Sequence, residues 1–377
     1  MITKITLRNF KSHKYTTLNL DDSRLHAIVG QNSSGKTSIL QALHYLSQLA
    51  HRPFSAIFQS DREAEFLARS GQNQFDVTAQ GYWGYRDRQD WTASFTWEKQ
   101  TNNGWSPSCC WALDSGKECR SGWSRSFQEA PFPIPQAIGQ AVYLKLVANN
   151  LARAAYSDDV VPRVEYDGSG LAPTLDYLRG EDPEVFEQIV EMLRRVVPGV
   201  RGLDVRRAKV EIFRQRTIEV DGKALPYEER REITGQEVTL NMSSGERIPA
   251  HAVSEGTMLT LGLLTVLFSP RKPNLILLDD IEQGLHPHAQ RALVGLLQQI
   301  LDENRNLQIL FTTHSPYIID ELMPSQVHVL NSTDQGYATT SRLDEHPDAE
   351  WASQTLTTGE FWDAEGESWV TGEPSSG

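Results

Sequence analysis

The chain has little cysteine. Its three cysteines, Cys109, Cys110 and Cys119, are an odd number with no Cys-x-x-Cys spacing. That fits neither a disulfide framework nor a common zinc site, so reduced structural thiols are expected. There is no stretch approaching the roughly 18 uncharged apolar residues that span a bilayer. Met1-Ile2-Thr3-Lys4 alternates like a strand and carries no apolar signal-peptide core. These absences lead to the expectation of a cytoplasmic protein with no membrane partner. A basic balance is also missing: the net charge is -13, which argues against broad non-specific binding to nucleic acid but leaves room for a local basic groove. No internal repeat stands out, and no heptad run is long enough for a coiled coil. What remains is a composition of 39% hydrophobic and 23% charged residues in 377. That is ordinary for a globular protein of one large or two modest domains.

The first fifty residues are densely patterned. Ile5 and Leu7, then Leu18 and Leu20, alternate with polar neighbours and predict a hairpin. Leu25–Val29 is a short apolar run ending in glycine. From Thr37 the period becomes helical, with Ile39, Leu43, Leu46 and Leu49 on one face. Between residues 70 and 130, Phe75, Val77, Tyr82, Trp97 and Trp111 sit in short alternating runs, and six of the nine tryptophans lie between Trp83 and Trp123. This predicts an antiparallel β region with its aromatics mostly inside. A base-stacking surface would pair aromatics with more positive charge than this stretch has. Pro131–Pro135 reads as a crossing to another layer. Asp182-Pro183 reads as an N-cap and first helical position; Val185, Phe186, Ile189, Leu193 and Val197 continue that helix on one face, and Pro198-Gly199 stops it. A strand-rich patch follows around Val210–Val220. The last patterned block runs from Ser254 to Leu330, before an acidic tail rich in Gly, Ser and Thr.

Gly30-Gln31-Asn32-Ser33-Ser34-Gly35-Lys36-Thr37 fits G-x-x-x-x-G-K-[ST] in full. The strand before it and the helix Ser38–Leu49 after it supply the context that turns a glycine-rich turn into a phosphate cradle. Gly30, Asn32, Ser33, Ser34, Gly35, Lys36, Thr37 and Ser38 are therefore the candidate ATP-binding residues. Lys36 is expected at the β- and γ-phosphates, and the Thr37 hydroxyl on Mg²⁺. A second element, Leu275-Ile276-Leu277-Leu278-Asp279-Asp280, is a buried-type strand ending in two acids, at the sheet end where ligands sit. Asp279 is the candidate Mg²⁺ ligand, directly or through water, and Asp280 the general base. Alone, two acids after a strand read equally well as a helix cap; beside the phosphate loop they favour catalysis. A third strand, Leu307–Phe311, runs into Thr312-Thr313-His314-Ser315-Pro316. His314 could sense the γ-phosphate, although a lone histidine is more often structural.

Together these residues resemble the ABC-type ATPase heads of the SMC/RecF/OLD group. The opening Leu7-Arg8-Asn9-Phe10-Lys11-Ser12 is similar to the start of those heads, and the order of phosphate loop, signature, Walker B, D-loop and His switch is the same. The match covers 1–50 and 250–330 well and the middle less well. The resemblance implies an α/β fold: an ABC-ATPase head with a mixed central sheet, an antiparallel β region and an inserted helical/β lobe. It implies a signature at Ser254-Glu255-Gly256-Thr257, opening the helix Met258–Phe268, unlike the LSGGQ form of transporter ATPases. Asp279 to Pro287 resembles the D-E-P-E-x-x-L-H-P run of OLD-like and phage-defence ATPases, with two departures: Asp280 stands for the usual glutamate and Ile281 for the usual proline. Aspartate is one methylene shorter, so hydrolysis could be slow, or Glu282 could share the base role. The resemblance offers no clear position for the Q-loop glutamine. It does imply that Ser254 and Gly256 of a second copy close over the γ-phosphate, so that ATP joins two heads and hydrolysis releases them.

The expected layout is a nucleotide-binding core split between 1–50 and 250–345, an antiparallel β region at 51–140, an inserted lobe at 141–249 and a tail at 346–377. OLD-type proteins carry a C-terminal nuclease domain, and the chain ends about sixty residues after His314, which leaves no room for one. The first expectation is therefore an ATPase that serves as sensor or scaffold for a separately encoded effector such as a nuclease, in bacterial anti-phage defence. The second is a RecF-like repair ATPase that binds DNA, in which Arg194, Arg195, Arg201, Arg206, Arg207, Lys209, Arg214 and Arg216 could contact phosphates; a solvated charged face is the default for such a run. The third is a nucleotide-gated module with little hydrolysis. Trp362 and Trp369 in the tail are expected to pack back on the ATPase lobe, with partner docking as the minority alternative.

Overall fold

Ile2, Ile5, Leu7 and Phe10 are fully buried along the first strand, β1 (Ile2–Phe10), which turns at Lys11-Ser12 into the antiparallel β2 (His13–Asn19). β3 (Leu25–Gly30) is buried at every position, as the apolar run predicts. The computed structural model describes residues 1–58, 65–83, 88–100, 104–113, 116–122, 136–220, 223–269 and 273–371. The expected crossing at Pro131–Pro135, and Trp123, lie outside them.

β4 (Gln74–Trp83), β5 (Gln89–Lys99), β6 (Trp105–Leu113) and β7 (Gly116–Ser121) form an antiparallel meander joined to β1, in the order β2-β1-β4-β5-β6-β7. Trp91, Trp97, Trp105 and Trp111 point inward and are 5% exposed or less. Trp97 meets Phe58 edge-on with centroids 4.8 Å apart and lies alongside Phe75 at 5.8 Å. Buried aromatics of this size account for much of the cohesion of such a sheet, and their burial removes them from any base-stacking role. The expectation of reduced thiols is corrected on this sheet. The register sets Cys110 of β6 directly opposite Cys119 of β7, and the two are joined as a disulfide. Cys109, one residue on, faces inward as a free thiol whose pKa burial pushes up to about 12.

The second sheet is mixed. Besides β3 it contains β8 (Ala141–Leu144), β12 (Leu275–Leu278), β13 (Gln308–Thr312), β14 (Val327–Ser332) and β15 (Ala338–Arg342), in the order β15-β14-β3-β13-β12-β8. β14, β3, β13 and β12 run parallel and β15 antiparallel. Gln308 ties the two sheets together: its side chain accepts from the Ile2 N–H at 2.8 Å and donates to the Ile2 carbonyl at 3.0 Å, standing in for a neighbouring strand.

Among the described residues the helices of eight residues or more are α1 (Lys36–Leu49), α2 (Leu171–Glu181), α3 (Pro183–Val196), α4 (Glu255–Leu267), α5 (Pro287–Glu303) and α6 (Thr358–Glu365). α1 buries Ile39, Leu43, Leu46 and Leu49, as its period predicts. α3 begins on the Asp182 cap, whose carboxylate accepts from the Val185 N–H at 3.3 Å, with Pro183 in the first turn. Among the described residues no helix is long and apolar enough to cross a membrane.

The chain falls into two compact units. One comprises Met1–Tyr143, Pro273–Gln283 and Gln290–Gly377; the other comprises Leu144–Lys272 and Gly284–Ala289. The second unit contains a long ribbon, β9 (Val200–Val220) paired with β10 (Lys223–Met242) and extended by β11 (Arg247–Pro249). The strand expected at Val210–Val220 is the outer half of β9. Its inner half carries Arg206, Arg207 and Lys209 in sequence, and that breaks the alternation by which a half-buried strand is recognised.

Candidate functional site

Gly30 ends β3 at φ 140°, and a Cβ there would lie 2.1 Å from the Leu330 carbonyl oxygen. Gly35 caps α1 at φ 102°, and its Cβ would lie 2.7 Å from both His13 Nε2 and Ser12 Oγ. Only glycine fits either position. Between them Asn32 and Ser33 are exposed, with Ser33 at φ 66°. Ser38 donates its N–H to the Gly35 carbonyl at 3.0 Å. α1 opens without a side-chain cap and without an acid in its first turn, which leaves the Lys36 and Thr37 N–H groups without a helical acceptor. Ser34 is 1% exposed, and among the described residues its hydroxyl has no hydrogen-bond partner. A buried orphan hydroxyl within a ring of unclaimed N–H groups is what a phosphate oxygen would satisfy. The residues present therefore fit a nucleotide phosphate.

Lys36 is held over this loop. Its ammonium donates to the carbonyls of Gly30 at 2.7 Å and Gln31 at 2.8 Å. Burial lowers its pKa, and Asp280, Glu282, Glu367 and Asp279 act in the opposite direction.

Asp279 follows β12, is 4% exposed and draws α1, β8 and β13 together. Its Oδ1 accepts from Thr37 Oγ1 at 3.0 Å and Thr312 Oγ1 at 2.7 Å, and its Oδ2 from Tyr143 at 3.4 Å. Thr312 also accepts the Asp280 N–H at 2.8 Å. Asp280 has φ 52°, the left-handed region that a non-glycine residue rarely adopts without a fixed surrounding. Glu282 Oε1 accepts the His314 N–H at 2.8 Å, whereas Glu282 Oε2 is buried with no partner among the described residues. The His314 side chain is exposed. The paired Thr37 hydroxyl and Asp279 carboxylate form a hard oxygen donor set of the kind that suits Mg²⁺.

Ser254 and Gly256 lie in the other unit. Ser254 caps α4: its Oγ accepts from the Thr257 N–H at 3.4 Å and lies 2.8 Å from the Thr257 hydroxyl. A Cβ on Gly256 would approach Leu285 Cδ2 at 2.9 Å, so this helix start packs closely on the Leu285 turn.

The N-terminal quarter matches a family described as "AAA ATPase domain" over residues 1–88. Residues 145–320 match another, described as "AAA domain, putative AbiEii toxin, Type IV TA system". Among solved structures, the head domain in a crystal structure titled as SmcHead bound to the C-winged helix domain of ScpA is similar at TM-score 0.52 and 14% identity, covering 90% of this chain and 96% of that one. The chain has the fold of an SMC head, and both of its family matches are to AAA-type ATPase domains. The SMC head domain from Thermotoga maritima is also similar, at TM-score 0.46 and 13% identity over 90% of this chain and 98% of that one. A curated relative, the "Retron Vc95 probable ATPase" of Vibrio cholerae serotype O1 biovar El Tor, is 27% identical over 107 residues, 26% of this chain and 19% of the relative. The head thus spans about a fifth of that relative's length.

Three residues of the head's site escaped the sequence reading. His13, fully buried, sets Nε2 3.2 Å from the Gly35 carbonyl and Nδ1 2.9 Å from the Thr16 hydroxyl, and so backs the phosphate loop. Tyr143 reaches Asp279 from β8. Thr312 stood inside a recognised motif but had no assigned role. A histidine after a turn, a tyrosine in a four-residue strand and a threonine at a strand end carry no spacing signal.

Proposed function

We propose that this head binds ATP with Mg²⁺ on Gly30–Thr37 and hydrolyses it. The observation that carries the proposal is the meeting of Thr37, Asp279 and Thr312 beside Lys36. Gly30, Asn32, Ser33, Ser34, Gly35, Lys36, Thr37 and Ser38 would hold the phosphates, and Thr37 and Asp279 would hold the metal. When bound, Mg²⁺ neutralises charge developing between the outer phosphates. Asp280 would orient the attacking water and accept its proton, with Glu282 sharing that role and His314 facing the γ-phosphate. Ser254 and Gly256 of a second copy would complete the site, making a homodimer that ATP closes and hydrolysis opens. Likeness to a retron ATPase and to a toxin-type family description supports a cytoplasmic sensor or scaffold for a separately encoded effector, such as a nuclease, in anti-phage defence.

The test is ATP turnover and sedimentation with and without ATP, for wild type, Lys36→Ala, Asp279→Ala and Ser254→Arg. The expected result is Mg²⁺-dependent turnover in wild type only, and ATP-dependent dimers lost in Ser254→Arg. Wild-type protein that neither turns over ATP nor dimerises with it would overturn the proposal. A slow or binding-only head is the second reading, favoured by the shorter Asp280 and by the Glu282 carboxylate being turned to the His314 N–H. The DNA-repair reading has less support. The returning strand β10 lays Glu237 opposite Arg206, and Lys209 pairs with Glu232 at 2.7 Å. Part of the basic run is thus answered within its own ribbon.

A further inference from the structure

Three of the four carboxylates that act on Lys36 belong to the metal and water side of the site: Asp279, Asp280 and Glu282. The fourth, Glu367, comes from the tail. It reaches the loop along a fixed path. α6 docks on the segment just after His314: Gly359 donates its N–H to Asp320 at 2.9 Å, Thr358 Oγ1 donates to the Leu322 carbonyl at 2.8 Å, and Phe361 and Trp362 are buried. A Cβ on Gly359 would lie 2.2 Å from the Pro316 carbonyl oxygen, so the docking is close. α6 stops at Gly366, whose φ of 60° turns the chain. Asn331 Nδ2 then donates to the Glu367 carbonyl at 2.9 Å. Trp369 lies edge-on against His346 at 4.8 Å. Between these anchors the Glu367 carboxylate accepts from Gln31 Nε2 at 3.5 Å, at the mouth of the phosphate loop.

We propose that Glu367 is a specificity-determining residue of the phosphate site: a tail carboxylate that occupies the outer end of the cradle and is displaced by the triphosphate of ATP but tolerated by the diphosphate of ADP. This rests on the ATP reading above. The physical reason is charge. Lys36 and the loop N–H groups make one anion site, and a carboxylate beside them competes with phosphate oxygens. Like charges brought together at a partly buried site repel, and ATP brings one more phosphoryl group than ADP. Because the same strap is seated on Pro316–Leu322, ATP binding would also shift the segment that follows His314.

The experiment is equilibrium titration of the full chain with MgATP and MgADP, comparing wild type, Glu367→Gln and the control Asp363→Asn, which removes the same charge from an exposed position of α6. Glu367→Gln is nearly isosteric, so the fold should survive. The expected result is ATP binding about tenfold tighter in Glu367→Gln, ADP binding changed much less, and no change in Asp363→Asn. In wild type, ATP but not ADP should speed chymotryptic cleavage at Trp369. Equal ATP affinity in wild type and Glu367→Gln overturns the inference alone, as does an equal gain in Asp363→Asn. Failure of wild type and Glu367→Gln alike to bind either nucleotide overturns both the inference and the ATP reading.

Discussion

The hydroxyl of Thr312 donates to Asp279 Oδ1 at 2.7 Å while accepting the Asp280 backbone N–H at 2.8 Å, so one buried threonine at the end of β13 sets both acids at the end of β12.

Thr312→Val keeps the shape and removes that donor and acceptor. A buried hydrogen bond to a charged group contributes about 1.5–3 kcal/mol. The expected outcome is a stability loss of about that size in denaturant titration, and ATP turnover reduced about tenfold or more with nucleotide still bound. Unchanged turnover would show that Thr312 does not position the acids.

Gly35→Ala forces a side chain into φ 102° against His13 and Ser12. Backbone strain of this kind costs about 1–3 kcal/mol, and the loop cannot keep its path. Nucleotide binding measured by calorimetry should be lost. Gly245→Ala, at φ 85° with open space around its Cβ, should retain it.

Acid should unfold this protein through its histidines before its carboxylates. Burial first, and the neighbouring Lys11 charge after it, hold His13 down to about 4; burial and Arg52 do the same to His44; burial and His26 hold His328 down to about 3. The unfolded value is about 6.5. The unfolded chain therefore binds protons that the native state refuses. The stabilisation is whole above pH 6.5 and is lost as pH falls towards 4 and below. The melting temperature should drop steadily from pH 6.5 to 4.5; a flat profile over that range would contradict the burial of these rings as neutral species.

In non-reducing denaturant, one thiol per chain should react with a thiol reagent, and three after reduction, because Cys110 and Cys119 are paired and Cys109 is free. The bridge closes a short loop, nine positions apart in sequence, which on chain-entropy grounds contributes about 2–3 kcal/mol. Cys119→Ser should lower stability by roughly that amount in oxidised protein and by little under reductant.

The legible parts of the fold are those written in local spacing. The β1–β2 hairpin, the apolar run of β3 and the helical face of α1 each show within a dozen residues, and the glycine spacing of Gly30–Thr37 fixes a turn that needs no distant partner. Asp279 stands out because four buried aliphatics precede it. What could not be read is strand register. Nothing near Cys110 says that Cys119 lies across from it, and nothing near Arg206 says that Glu237 does. Thr312 meets Asp279 only because β12 and β13 are neighbours in parallel, and parallel pairing leaves no turn signal between the strands. Trp362, expected to pack back, is buried, and its neighbour Glu367 is the residue whose position no spacing rule foretold.

β3, which leads into the phosphate loop, pairs on one side with β13 and on the other with β14. The two neighbours come from residues made about 280 and about 300 positions later. The loop residues leave the ribosome well before the strands that hold them in place. A growing chain that stops short of Gln308 has neither strand to set beside Gly30, nor the threonine that aligns its acids. Contacts this remote in sequence make for slow closure, so a growing chain should be blind to nucleotide until β13 and β14 have been synthesised.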